Sequence, residues 1–105
     1  MKKLVAVLLV LLASGANAVS IRGPVSCGAW VKERQEAGWG TQTNQAWLVG
    51  YLSGVAAASD KDFIKGTDNP SIFLYLDNFC RANPLKTIDE AADALTIELI
   101  KQKKL

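Results

Sequence analysis

Two cysteines, ten carboxylates and no histidine are the residues with which this chain could do chemistry. Cys27 and Cys80 stand 53 positions apart. A redox pair would want adjacent spacing such as C-x-x-C, with a nearby cation or helix N-terminus to lower a thiol pKa. The wide separation favours a structural bridge over a reactive one. Two thiols without a histidine cannot supply the usual zinc ligand set. Asp60 and Asp62 resemble the start of a calcium loop, but Lys65 stands where that loop needs glycine and Ser71 where it needs glutamate. No metal and no cofactor are expected.

The remaining catalytic signatures are missing. Without histidine the common neutral-pH acid–base group is absent. No serine is followed three residues later by lysine, and no G-x-S-x-G or Gly-rich phosphate loop occurs. The acids are scattered, and nothing marks out a hydrolytic carboxylate pair. The chain reads as a non-enzyme.

The opening eighteen residues, MKKLVAVLLVLLASGANA, read as a secretory signal peptide. Lys2 and Lys3 form the positive end, Leu4 to Ala13 the apolar run, and Ala16-Asn17-Ala18 the cleavage site. Ten apolar residues are too few for a permanent span, which needs roughly 20. No stable membrane span is expected after cleavage. The short, lysine-led signal is of bacterial type and predicts a periplasmic or secreted product. Processing leaves residues 19–105 as one small domain. It also removes Lys2 and Lys3 from the twelve Lys and Arg, so that the remaining cations match the ten Asp and Glu. No basic excess is left to neutralise phosphates, and nucleic acid is not an expected partner. In an oxidising compartment the two cysteines have one internal pairing, Cys27 with Cys80.

Four helices are expected to carry these groups. Ser26 is an N-cap for a helix over Cys27–Glu36. Residues 37–43 (AGWGTQT), with Gly38 and Gly40, read as a loop presenting Trp39. Asn44 is the next cap candidate, before a helix over 45–59 whose Trp47, Tyr51, Val55, Leu48 and Leu52 repeat at four-residue steps. Gly50, Gly54 and Ala58 recur at the same step. Glycine costs about 1 kcal/mol inside a helix, so this row predicts helix packing: close approach of another helix within the core, with an external contact as the other option. Asn69-Pro70 opens a third helix to about Arg81, and Asn83-Pro84 ends it. Thr87 and Glu90 form a capping box for a fourth helix to about Lys103, whose lysines 101, 103 and 104 suit the negative end of the helix dipole. The fold class is an all-α four-helix bundle closed by one disulfide.

The order of these features resembles known exported proteins. Cys27 sits in the first helix ahead of Trp30-Val31. A central helix carries Gly50-Tyr51 within WLVGYLSG (47–54). Cys80 lies in DNFCRANPL (77–85) before a charged last helix. This resembles periplasmic acid-stress chaperones of the HdeA type and the small periplasmic immunity proteins of type VI secretion amidases. The resemblance implies a helical, one-disulfide, non-catalytic protein whose partner is another protein, an inhibitor or immunity-like role, or else a chaperone that loosens in acid. The candidate partner-binding residues are Trp39, in the Gly-rich loop, and Asp77, Asn78, Arg81 and Asn83 around Cys80. Helix-end and turn chemistry is the competing reading of that second group.

Overall fold

A computed structural model describes residues 19–105; the export signal read over 1–18 lies outside the described residues. Four helices follow in order: α1 (Cys27–Glu36), α2 (Trp39–Ser59), α3 (Asn69–Ala82) and α4 (Ile88–Lys103). Each packs on two neighbours, in the cyclic order α1, α2, α4, α3. The described chain is thus the expected all-α bundle, closed by the Cys27–Cys80 disulfide between α1 and α3. Both cysteines are fully buried.

The helix starts follow from local chemistry. Ser26 accepts from the Ala29 N–H at 3.1 Å and caps α1. At Thr87 the backbone N–H donates to the Glu90 carboxylate at 3.4 Å, the reciprocal half of a capping box. These two cap residues are also partners. Cys27 N–H donates to Lys86 O at 2.7 Å and Ile88 N–H to Val25 O at 3.0 Å, an antiparallel bridge that ties the start of α1 to the start of α4.

Two boundaries differ from the sequence expectation. The third helix is capped by Asp68, not Asn69. The Asp68 carboxylate accepts from the Ser71 N–H at 2.8 Å, and Pro70 falls within the first turn, where its missing N–H costs nothing. The second helix begins at Trp39 rather than beyond Asn44, with Gly38 as its extended N-cap. Residues 39–43 are therefore helical, and Asn44 is a buried residue of the helix interior. Gly40 leaves room for the Glu33 carboxylate to lie on the start of α2.

Leu48 and Leu52 of α2, Ile72 and Leu76 of α3, Ile88, Ala91, Ala92, Leu95 and Leu99 of α4 and Trp30 of α1 fill the core. Phe63, from the polar connection between α2 and α3, is fully buried among them. Its loop is held by Lys103, whose ammonium donates to Phe63 O and Lys65 O at 2.5 Å each and to Thr67 Oγ1 at 3.0 Å. Lys103 is therefore a loop clamp rather than only a cation at a helix end. No helix among the described residues is long and apolar enough to cross a membrane.

Candidate functional site

The polar cluster beside the disulfide resolves into structural roles. Asp77 is buried, 6% exposed, and lies one turn before Cys80 on α3. Its Oδ1 accepts from Trp30 Nε1 at 2.8 Å and from Arg34 Nε at 3.0 Å, and its Oδ2 accepts from Arg34 Nη2 at 2.9 Å. Trp30 and Arg34 follow Cys27 on one face of α1, at one and two turns. Disulfide, indole and forked ion pair thus make a single seam between α1 and α3. The Arg34 guanidinium also lies 5.9 Å from the Phe73 ring centroid, and Phe73 tilts against Trp30. Burial pushes the Asp77 carboxyl up, but the bonds from Arg34 and Trp30 and the charges of Arg34 and Arg81 outweigh it. The carboxyl stays below its ordinary value.

Asp77 is consequently not an exposed contact residue, which corrects the sequence expectation. Asn83 donates from Nδ2 to Phe79 O at 2.9 Å and closes the C-terminus of α3. Asn78 and Arg81 remain exposed and meet each other at 3.5 Å. The structure does not gather Asp77, Asn78, Arg81 and Asn83 into one accessible patch.

Trp39 is different. It is 84% exposed at the first position of α2. The row Gly50, Gly54 and Ala58 also faces outward, and a Cβ built on Gly50 or Gly54 meets no atom within 4 Å. The expected packing of this row inside the core is therefore corrected. Leu48 and Leu52, on the opposite side of the helix, make the core contact. The outward face runs through Trp39, Thr43, Ala46, Gly50, Ser53 and Ala57, all exposed, which recur at helical steps of three, four and seven. No Asp, Glu, Lys or Arg occurs anywhere in the 21 residues of α2. An exposed helix face ordinarily carries charge; this one presents small and neutral side chains along about 27 Å at 1.5 Å per residue.

One flank of the face is built by the arm at 19–25. Trp47 stacks on Tyr51 with ring centroids 5.1 Å apart, and its indole N–H donates to Arg22 O at 2.8 Å. Gly23, at φ +91°, lets the arm pass directly over the Trp47 ring. Between arm and helix lies an open groove of about 510 Å³, lined by Val19, Ile21, Ala46, Trp47, Gly50 and Tyr51 among others. Tyr51 donates its hydroxyl to Asp93 Oδ1 at 2.7 Å; burial first, then this bond and the nearby acids, raise its pKa and keep it neutral.

Two substitutions report on these placements. Gly50→Ala is expected to raise stability by up to about 1 kcal/mol, because the added Cβ enters open space and alanine is the better helix former. A drop in melting temperature would show that the position is packed. Gly23→Ala is expected to cost about 1–3 kcal/mol, since it forces a side chain into positive φ with its Cβ 2.8 Å from Trp47 Nε1. An unchanged melting temperature would show that the arm is not held on Trp47.

No family model, curated protein or solved structure matches this chain. The groups that sequence reading missed are Trp30 and Arg34 as the partners of Asp77, and Ala46, Ser53 and Ala57 on the open face. Among the described residues no group of three or more His, Cys, Asp or Glu is arranged to hold a metal ion.

Proposed function

We propose that residues 1–18 export the chain to the bacterial periplasm or beyond, and that the folded domain is a non-catalytic protein-binding module of inhibitor or immunity-like type. Its contact surface is the outer face of α2. The observation that carries this reading is the exposed, uncharged stripe from Trp39 to Ala57. Charge depletion with an aromatic anchor is the compositional mark of the centre of a protein–protein contact. Small side chains let a partner helix approach to the short end of the usual 8–10 Å interaxial range. The Cys27–Cys80 bridge and the Trp30–Asp77–Arg34 seam tie α1 to α3, which supports presenting the face at a small ordering cost on binding.

Capture from an envelope extract tests the reading. Wild-type protein should retain a partner, and Gly50→Glu should retain at least tenfold less while keeping its helical circular dichroism. A partner held equally by both proteins places contact elsewhere. No partner at any salt or pH removes the reading.

One observation favours the chaperone that the resemblance implies. The ion pair joining α1 to α3 depends on the Asp77 carboxylate, so strong acid loosens that seam while the disulfide keeps the helices tethered. The check is aggregation of a client protein at about pH 2–3, near and below the carboxylate range; absence of protection contradicts it.

A further inference from the structure

The groove of about 510 Å³ between the arm and α2 has one charged wall and one uncharged wall. Resting on the reading of α2 as a binding surface, we infer that this groove takes an extended segment of the partner protein in which acidic and apolar residues alternate. The segment lies along the arm, with its apolar side chains on α2 and its carboxylates beside Arg22 and the processed N-terminus.

The sign of the ligand follows from the charges around the groove. Arg22 is exposed, lines the groove and makes no ion pair among the described residues. No Asp or Glu occurs between Val19 and Lys32, and none occurs in α2. Cleavage after Ala18 frees the α-amino group of Val19 at the same groove, and such a group, with an ordinary pKa of about 7.7–8.0, is mostly protonated at neutral pH. Two acids of α4 act on Tyr51 from outside: Asp93 accepts its hydroxyl at 2.7 Å, and Asp89 adds a more distant charge. Neither lines the groove. The arm's cations are thus left for an anion supplied by the partner.

The shape of the ligand follows from the backbone. Residues 19–22 lie outside any helix, and the arm continues into the antiparallel bridge of Ser26 with Thr87. The backbone N–H groups from Ser20 to Gly23 find no partner among the described residues. A non-helical segment with open N–H groups is an edge to which another strand can add. The edge is already seated, because Arg22 O accepts from the Trp47 indole and Val25 O from the Ile88 N–H. Four residues of added strand span about 13 Å. Spread over that length, the groove has a cross-section of roughly 40 Å², about half or less of that of a helix 10–12 Å across. It therefore suits a strand and not a helix.

A strand turns successive side chains to opposite sides. Every second residue then falls on α2, where Ala46 and Gly50 leave depth and the Trp47–Tyr51 stack forms a wall. Those positions favour apolar side chains. The residues between them turn toward the arm and solvent, where carboxylates meet Arg22 and the Val19 ammonium.

A nitrogen-15 chemical-shift titration of the processed protein with the tetrapeptide acetyl-Glu-Val-Glu-Val-amide tests the site. The expected result is saturable shifts in the millimolar range, confined to the amides of residues 20–23, the Trp47 indole N–H and Gly50. Acetyl-Lys-Val-Lys-Val-amide should produce none. Arg22→Glu should bind the acidic peptide about fivefold more weakly, the upper end for an exposed ion pair. It should melt as wild type does, since only the backbone oxygen of Arg22 is bonded. Absence of saturable shifts, equal shifts with the lysine peptide, or undiminished binding by Arg22→Glu overturns the inference. Binding to anionic lipid vesicles without any response to the acidic peptide overturns it too. A captured partner that Gly50→Glu loses and Arg22→Glu keeps overturns only the acidic segment and leaves the binding surface on α2 intact.

Discussion

Replacing Asp77 by alanine is expected to destabilise the domain by about 2–3 kcal/mol, chiefly because the buried Trp30 indole N–H loses its acceptor. Three donors meet at this carboxylate. The Trp30 indole N–H, inside the core, is left without an acceptor, while the partly exposed Arg34 fork turns to water. In a domain of this size even 2 kcal/mol corresponds to a fall of about 8–16 °C in melting temperature. Asp77→Asn should fall between, since an amide oxygen still accepts from Trp30 but the charge is gone. A melting temperature within a few degrees of wild type for the alanine variant would contradict the seam.

The same carboxylate fixes a pH dependence. Its pKa is held below the unfolded value in the folded state, so its contribution to stability is fully present above the ordinary aspartate value of about 3.9 and is lost as pH falls through the lower, folded value. Stability of the wild type should therefore decline steeply below about pH 4. In Asp77→Asn that decline should be shallower. Parallel curves would assign the acid sensitivity to other groups.

Loss of the disulfide is the second large effect. Cys27 and Cys80 are separated by 53 positions, and the chain-entropy model assigns about 4 kcal/mol to closing a loop of that length. That is a large share of the ~5–15 kcal/mol typical of a whole domain. A Cys27→Ala, Cys80→Ala protein is expected to be largely unfolded or to melt more than about 15 °C lower. Since both sulfurs are buried, the native protein should resist reductant until it opens. Circular dichroism melts with and without reductant read both effects. Equal melts, with reduction confirmed by thiol titration, would contradict the structural role of the bridge.

The parts legible in the sequence were those decided by local chemistry. Ser26, Thr87 and Glu90 announce helix starts because caps satisfy backbone N–H groups within three residues. The apolar spacing of α3 and α4 is regular enough to give their inner faces directly. What stayed hidden depends on contacts from elsewhere. Gly38 and Gly40 read as a break, but Glu33 of α1 packs over Gly40, and the buried Thr41 and Asn44 extend the inner face of α2 toward its start. Phe63 reads as part of a polar loop because its neighbours are charged, and the contact that holds that loop over the core comes from Lys103, forty positions on. Asp77 has the look of a surface acid. Its register with Cys80, one turn away, was the available signal, since a residue beside a buried cysteine on the same face shares its burial. The orientation of Gly50, Gly54 and Ala58 was not legible at all. A helix without charge has no polar face to mark which side meets solvent, and small residues suit either side.

We propose that this protein meets its partner through the outer face of α2. Photo-cross-linking in the native cell tests it most directly, with a photoreactive residue at position 46 or 50 and a control at exposed Lys101 on α4. Discrete adducts to a partner are expected from positions 46 and 50 and not from 101. No adduct from 46 or 50, or the same adducts from 101, would contradict the account.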